Sequence, residues 1–189
     1  MATLIEQLER ALSEVGSRVE QVRDDQWADP TPCREWDVRR LVAHLVDEVR
    51  WLPYLLDGGT AADGAERFSD DPLGDDPKSA WRDRSASAVT AVTADRALDR
   101  TVGLSYGETA ARDYVWELTC DLAVHAWDLA RAIGADERLD PELVRRIHVS
   151  LDQGNEPLGS VPGLFDPPVP VPPHADLQTR VLGRYGRRA

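Results

Sequence analysis

Asp121 and His125 stand four residues apart in Glu117-Leu-Thr-Cys-Asp121-Leu-Ala-Val-His125-Ala-Trp-Asp128, within a run of helical apolar spacing. That interval puts a carboxylate and an imidazole one turn apart on the same face, where they can share one cation. His44 lies in an earlier amphipathic run, beside Leu41 and Glu48 and off the centre of its Val38-Leu45-Val49 stripe. Two imidazoles and a carboxylate from two helices make three ligands with open positions. Such a site lets a metal bind water or substrate rather than only brace a fold. Zinc is the default ion for these donors, and iron(II), nickel and manganese also suit them. The same spacing also occurs as a solvated Asp–His pair, and a lone histidine on an apolar helix also serves as a hydrogen-bonded boundary residue. Pattern alone leaves both readings open.

Other reactive residues are fewer. Cys33 precedes a helix start, where a thiol is placed to act as a nucleophile, or it is a small packed residue of the Pro-Thr-Pro-Cys turn. Cys120 points about 100° around the helix from Asp121 and reads as packing. Trp36 and Trp127 suit the wall of a pocket, while Trp51, Trp81 and Trp116 suit core filling. Asp128 either accepts a hydrogen bond from a ligating histidine or pairs with Arg131. His148 falls on a solvated flank, and His174 sits in a proline-rich tail where it could cover the mouth of a bundle. The sequence presents no Ser-His-Asp arrangement, Walker loop or GxGxxG motif.

The elements that must position these groups are helical. Leu4, Leu8, Ala11, Leu12, Val15 and Val19 recur at three- and four-residue steps and predict a helix from Thr3 to about Val22. A second, N-capped by Asp37 and ended by Gly58-Gly59, spans Val38 to Leu56. Thr60 to Asp76 reads as a mobile acidic connection. Pro77 opens a third helix, Lys78 to about Ala94. Arg100 to Gly107 has some strand character or is a crossing loop. The longest helix runs from about Thr109 to Ile133, closed by Gly134, and a shorter one from Pro141 to about Leu151. Phe165 to Pro173 is a polyproline-like strap leading to a helical turn, Ala175 to Leu182. Val169, Val171, Leu177, Val181 and Leu182 offer anchors for it. The expected organisation is an all-α bundle over residues 1–154 and a proline-rich C-terminal strap, 155–189, packed on it.

Charge narrows the partners. With 22 Lys+Arg against 34 Asp+Glu, the 189-residue chain carries −12, and nonspecific nucleic-acid binding rests on basic side chains. No run approaches the roughly 18 apolar residues of a spanning helix, and the N-terminal residues mix charges among apolar ones as a signal peptide does not. Two cysteines without CxxC spacing read as thiols. The expectation is a cytoplasmic protein with neither nucleic acid nor membrane as partner.

Two segments carry a family resemblance. Thr31-Pro-Cys-Arg-Glu-Trp-Asp-Val-Arg-Arg-Leu-Val-Ala-His44-Leu-Val and Val124-His-Ala-Trp-Asp-Leu-Ala-Arg-Ala-Ile-Gly134 resemble the signatures of the mycothiol-dependent maleylpyruvate isomerase family, within the DinB-like superfamily. The ending Leu182-Gly-Arg-Tyr-Gly-Arg is similar to that of short actinobacterial members. The resemblance implies a DinB-like four-helix bundle holding a divalent metal near one end, with His44, Asp121 and His125 at the ligand positions. Asp121 stands where the isomerase has glutamate, a side chain longer by roughly one C–C bond, and many relatives use three histidines.

The chemistry so implied uses the thiol of mycothiol, which adds to an unsaturated dicarboxylic acid, allows rotation about the former double bond, and leaves. A metal would supply thiolate at neutral pH from a thiol of free pKa about 8.5. The isomerase also has a C-terminal α/β domain contributing to its substrate site, where this sequence continues with the tail, which argues against maleylpyruvate itself. Arg34, Arg39, Arg112 or Arg131 could offset the acidic surface for an anionic substrate. The expected activity is metal-dependent transfer of a small thiol to a small electrophile, or isomerisation of that electrophile, with mycothiol or a similar thiol as cosubstrate. A non-catalytic metal- or ligand-binding bundle is the alternative. So is a bundle with a vestigial site whose role is homodimer formation through exposed helix faces.

Overall fold

The computed structural model describes residues 2–154 and 165–189. Its frame is four helices, α1 (Leu4–Gln21), α2 (Val38–Leu56), α4 (Pro77–Val92) and α5 (Ala111–Ile133); α3 (Ala61–Arg67) lies between α2 and α4. Around the bundle, α1 packs on α5 and α4, and α2 packs on α4 and α5. Two short helices follow, α6 (Pro141–Asp152) and α7 (Leu177–Arg184), which pack on each other. The seam between α2 and α5 is the one that matters for the site, since it brings His44 and the Asp121–His125 pair face to face.

Local chemistry sets most boundaries. Thr3 and Glu6 form a capping box on α1, and Asp37, Asp76, Asp140 and Asp176 each accept a backbone N–H at the start of a helix. Pro77 and Pro141 take first-turn positions where a missing N–H costs nothing. Gly134 closes α5 in the left-handed conformation, φ 70°. The apolar stripes then fill one core: Leu8, Val15, Val42, Leu45, Val49, Val115, Leu122, Ala126 and Leu129 are all fully buried.

Two stretches differ from expectation. Thr60 to Asp76 contains α3, and the segment is tied to α2. Buried Arg50 bonds Asp47, Asp70 at 2.8 Å and the carbonyl of Phe68, while Phe68 packs 4.5 Å from the Trp51 ring. A Cβ at Gly64 would lie 2.4 Å from Trp51, so only glycine lets α3 approach this closely. The second stretch is a hairpin. Strands β1 (Thr101–Leu104) and β2 (Gly107–Ala110) pair antiparallel across a two-residue turn. Thr109 and Ala110 therefore belong to the ladder and α5 begins at Ala111, because cross-strand bonds claim backbone groups that a first helical turn leaves unpaired.

The C-terminal segment lies against the bundle. Val169 N–H donates to the carbonyl of Gly183, and Gln178 bridges the backbone of Glu137 and Leu139. Val181, Leu182 and Tyr185 are buried. Of the 155–189 strap, residues 155–164 lie outside the described residues. No helix among the described residues is long and apolar enough to cross a membrane.

Candidate metal centre

Helix α5 is buried over nearly all its length, so its polar residues near the middle are forced inward. Asp121 is 8% exposed, His125 1% and Asp128 0%. Across the seam, His44 places Nε2 3.4 Å from Asp121 Oδ2, and His125 places Nε2 3.4 Å from Asp121 Oδ1. The two imidazole rings meet edge to face, centroids 5.1 Å apart. Donors at about 2.1 Å around a tetrahedral ion lie roughly 3.4 Å from one another. The spacing seen between these groups is the same.

Hydrogen bonding provides the fit test. His44 Nε2 and Asp121 Oδ2 are buried and neither makes a hydrogen bond. A buried polar atom left so costs about 1–3 kcal/mol, more if charged. Two such atoms facing each other beside His125 Nε2 fit a cation that would satisfy all three.

The far side of His125 is the opposite case. Its Nδ1 lies 2.9 Å from Asp128 Oδ2, and Arg187 grips Asp128 with Nε at 2.9 Å from Oδ1 and Nη2 at 2.8 Å from Oδ2. Cys33 Sγ completes this cluster at 3.3 Å from Asp128, 3.3 Å from Arg187 Nη2 and 3.7 Å from His125 Nδ1. Cys33, His125 and Asp128 are also close enough to hold a cation in principle. Their atoms are already paired, however, and a guanidinium occupies the place of positive charge. The His44–Asp121–His125 set is the one with buried polar atoms lacking hydrogen bonds.

Electrostatics follow the geometry. Burial alone would depress His125, yet the carboxylates of Asp121 and Asp128 outweigh it and hold the imidazole well above its ordinary range. Burial works to raise Asp121 as well, and the facing His125 and His44 overcome it, leaving the carboxyl below the usual range. Glu48, 3.9 Å from His44 Nδ1, is pushed up to about 7 by burial, against the opposing pull of His44. Trp36 packs on both imidazoles, centroids 4.7 Å from His44 and 5.8 Å from His125, and Phe165 stacks on His125 at 5.3 Å.

The remaining sequence candidates are dispersed. Cys120 is buried against Tyr185, and burial pushes its thiol up to about 12, which leaves it inert. Trp127 lies in the core with Arg131 stacked on its ring at 4.2 Å. Asp128 therefore pairs with Arg187, not Arg131, which reaches Glu137. Arg39 and Arg112 are engaged by Asp71 and Asp99 on the surface, and Arg34 is exposed. His148 faces Asp152, and His174 is exposed. Arg187 and Phe165 escaped the sequence reading: no periodicity links them to α5, and the only hint was a tail ending shared with relatives.

Comparison with known proteins gives a consistent picture. Residues 8–130 match the mycothiol maleylpyruvate isomerase N-terminal domain model. Two uncharacterized proteins of Mycobacterium tuberculosis are 31% identical over 139 residues, covering 71% of this chain and 70% of theirs. Crystal structures of the mycothiol-dependent maleylpyruvate isomerase and of a mutant of it superpose with TM-scores of 0.60 and 0.61. They are 18% and 17% identical, covering 79% of this chain and 70% of the isomerase. At that identity the likeness is one of fold.

Proposed function

The chain belongs to the mycothiol maleylpyruvate isomerase N-terminal domain family, and from that premise we propose that it is a divalent-metal-dependent enzyme activating a small thiol of the mycothiol type. The reaction is transfer of that thiol to a small electrophile, or isomerisation of the electrophile through reversible addition. His44, Asp121 and His125 would hold the metal, with zinc as the default ion. The single observation carrying this reading is the pair of orphaned buried atoms, His44 Nε2 and Asp121 Oδ2, turned toward each other beside His125 Nε2.

When bound, the ion supplies positive charge that favours the thiolate over the thiol at neutral pH. The chain's own groups prepare for this. With an ion bound, Asp128 would accept a hydrogen bond from His125 Nδ1–H and so leave Nε2 as the ligating nitrogen. Asp121 contributes one negative charge, which leaves a divalent site net positive and attractive to an anionic sulfur. Trp36 and Phe165 pack against the imidazoles and keep water from them on those sides, which strengthens every charge interaction inside. Cytoplasmic residence fits a reduced small thiol.

The test is elemental analysis of protein purified without a metal-affinity tag, for wild type and His125→Ala, followed by thiol-conjugation assays over a panel of electrophiles. One equivalent of transition metal, lost in the variant, with thiol consumption that depends on it, is the expected result. Absence of metal in the wild type after reconstitution with zinc, iron(II), nickel or manganese would remove the mechanism and leave the fold.

A further inference from the structure

The family match ends at residue 130, yet the most completely bonded group around His125 comes from the other end of the chain. Arg187 is 5% exposed and each of its three guanidinium nitrogens has a partner. Nε and Nη2 fork onto the two oxygens of Asp128, Nη1 donates to the carbonyl of Tyr185 at 3.0 Å, and Nη2 also meets Cys33 Sγ. The Phe165 ring, itself stacked on His125, lies 5.2 Å beneath the guanidinium. Tyr185 packs edge-on against Phe165. Gly186 makes the inward turn at φ 76°, and a Cβ there would fall 2.5 Å from the carbonyl oxygen of Asp166.

We propose that Arg187 is a positioning residue for the metal centre, acting through Asp128, and that the C-terminal segment is thereby part of the site and not only a cover. The inference rests on the His44–Asp121–His125 reading above. A carboxylate gripped at both oxygens by a planar guanidinium cannot rotate, and its anionic form is held by the paired charge. Asp128 so fixed directs one oxygen at His125 Nδ1. The contact between that oxygen and Nδ1 holds the ring so that it cannot turn Nε2 away from Asp121 and His44. Without Arg187, Asp128 is a buried carboxylate whose remaining partners are His125 and the Cys33 thiol. The carboxylate, and the imidazole bonded to it, are then free to turn. That loss of orientation weakens metal binding. Partners of this kind typically set metal affinity by about 10- to 100-fold.

The experiment measures zinc dissociation constants by chelator competition, with cobalt(II) absorption as a report on coordination. It compares wild type, His44→Ala, Asp128→Asn, Arg187→Gln, Arg187→Lys and the Asp128→Asn/Arg187→Gln double variant, each checked for folding by circular dichroism. We expect Arg187→Gln to weaken zinc about 10- to 100-fold and shift the cobalt spectrum. Lysine should recover part of the loss, and the double variant should bind no more weakly than Asp128→Asn alone. If Arg187→Gln does not fold, the double variant, which removes both charges together, is read against Asp128→Asn. Folded Arg187→Gln protein with wild-type zinc affinity overturns the proposal, even if its thermal midpoint falls. Losses that multiply in the double variant overturn it too, since Arg187 would then act independently of Asp128. A wild type that binds no metal, or a His44→Ala variant that binds as well as wild type, strikes the underlying reading of the site and takes this inference with it.

Discussion

The two sides of the His125 ring differ in how far their polar groups are satisfied. On the Nδ1 side, Asp128, Arg187 and Cys33 satisfy one another in a closed network of opposite charges. On the Nε2 side, Asp121 stands 3.4 Å from each imidazole, and Asp121 Oδ2 and His44 Nε2 are left without hydrogen bonds in a buried place. Both clusters contain three metal-ligand types within reach of one another, so residue identity does not separate them. Satisfaction does. A folded protein that leaves polar atoms buried without hydrogen bonds is destabilised unless something binds them, whereas a network already closed by a guanidinium gains nothing from a second cation.

The sharpest way to break this contrast is to remove a ligand from the open face. His125→Ala and His44→Ala should each weaken zinc by more than the roughly 10- to 100-fold that loss of an outer partner brings, since each would remove a proposed ligand. Chelator competition checks this. Next in size is pH. Asp121 and Asp128 hold His125 protonated above its ordinary range in the metal-free protein, so binding must expel that proton. Zinc affinity should fall by about tenfold for each unit that pH is lowered below the raised value. Calorimetry in buffers of different ionisation enthalpy would count the proton released. The metal-free fold should respond in the opposite sense. A raised histidine pKa contributes stability that is fully present below about 6.5 and lost as pH rises through the folded value. Denaturant midpoints across this range report it.

A smaller effect is expected from the closed face. Gly186→Ala meets both a positive φ and the Asp166 carbonyl, and should cost about 1–3 kcal/mol in urea unfolding while loosening the inward turn to Arg187. The smallest is Cys33→Ser. Its sulfur belongs to the satisfied network, so zinc affinity should stay within about threefold of wild type. A large loss there, with His44→Ala unaffected, would reverse the assignment of the two faces.

How much of this was legible in the sequence depends on chain separation. Asp121 and His125 share a helix, so a four-residue interval announced their common face. His44 stood out because it lay on the flank of a clear stripe. The long helices were readable for the same reason, with α2 marked at both ends by Asp37 and Gly58-Gly59. Thr60 to Asp76 misled because its Gly, Asp and Pro content signals a loop, while the helix there is held by aromatic contacts and Arg50, which local pattern does not record. The β1–β2 hairpin was only half visible, since Thr109 and Ala110 lack a strand signal of their own and are recruited by pairing.

Local sequence therefore determined the helices, their caps and the shared face of Asp121 and His125, because these depend on neighbours within one or two turns. Tertiary structure decided which side of His125 is open and which is closed. Asp128 and Arg187 are 59 residues apart along the chain, and only packing of the C-terminal segment on the bundle brings a guanidinium to a buried carboxylate. Periodicity places a residue on a face; it does not record what arrives from a distant segment to satisfy it.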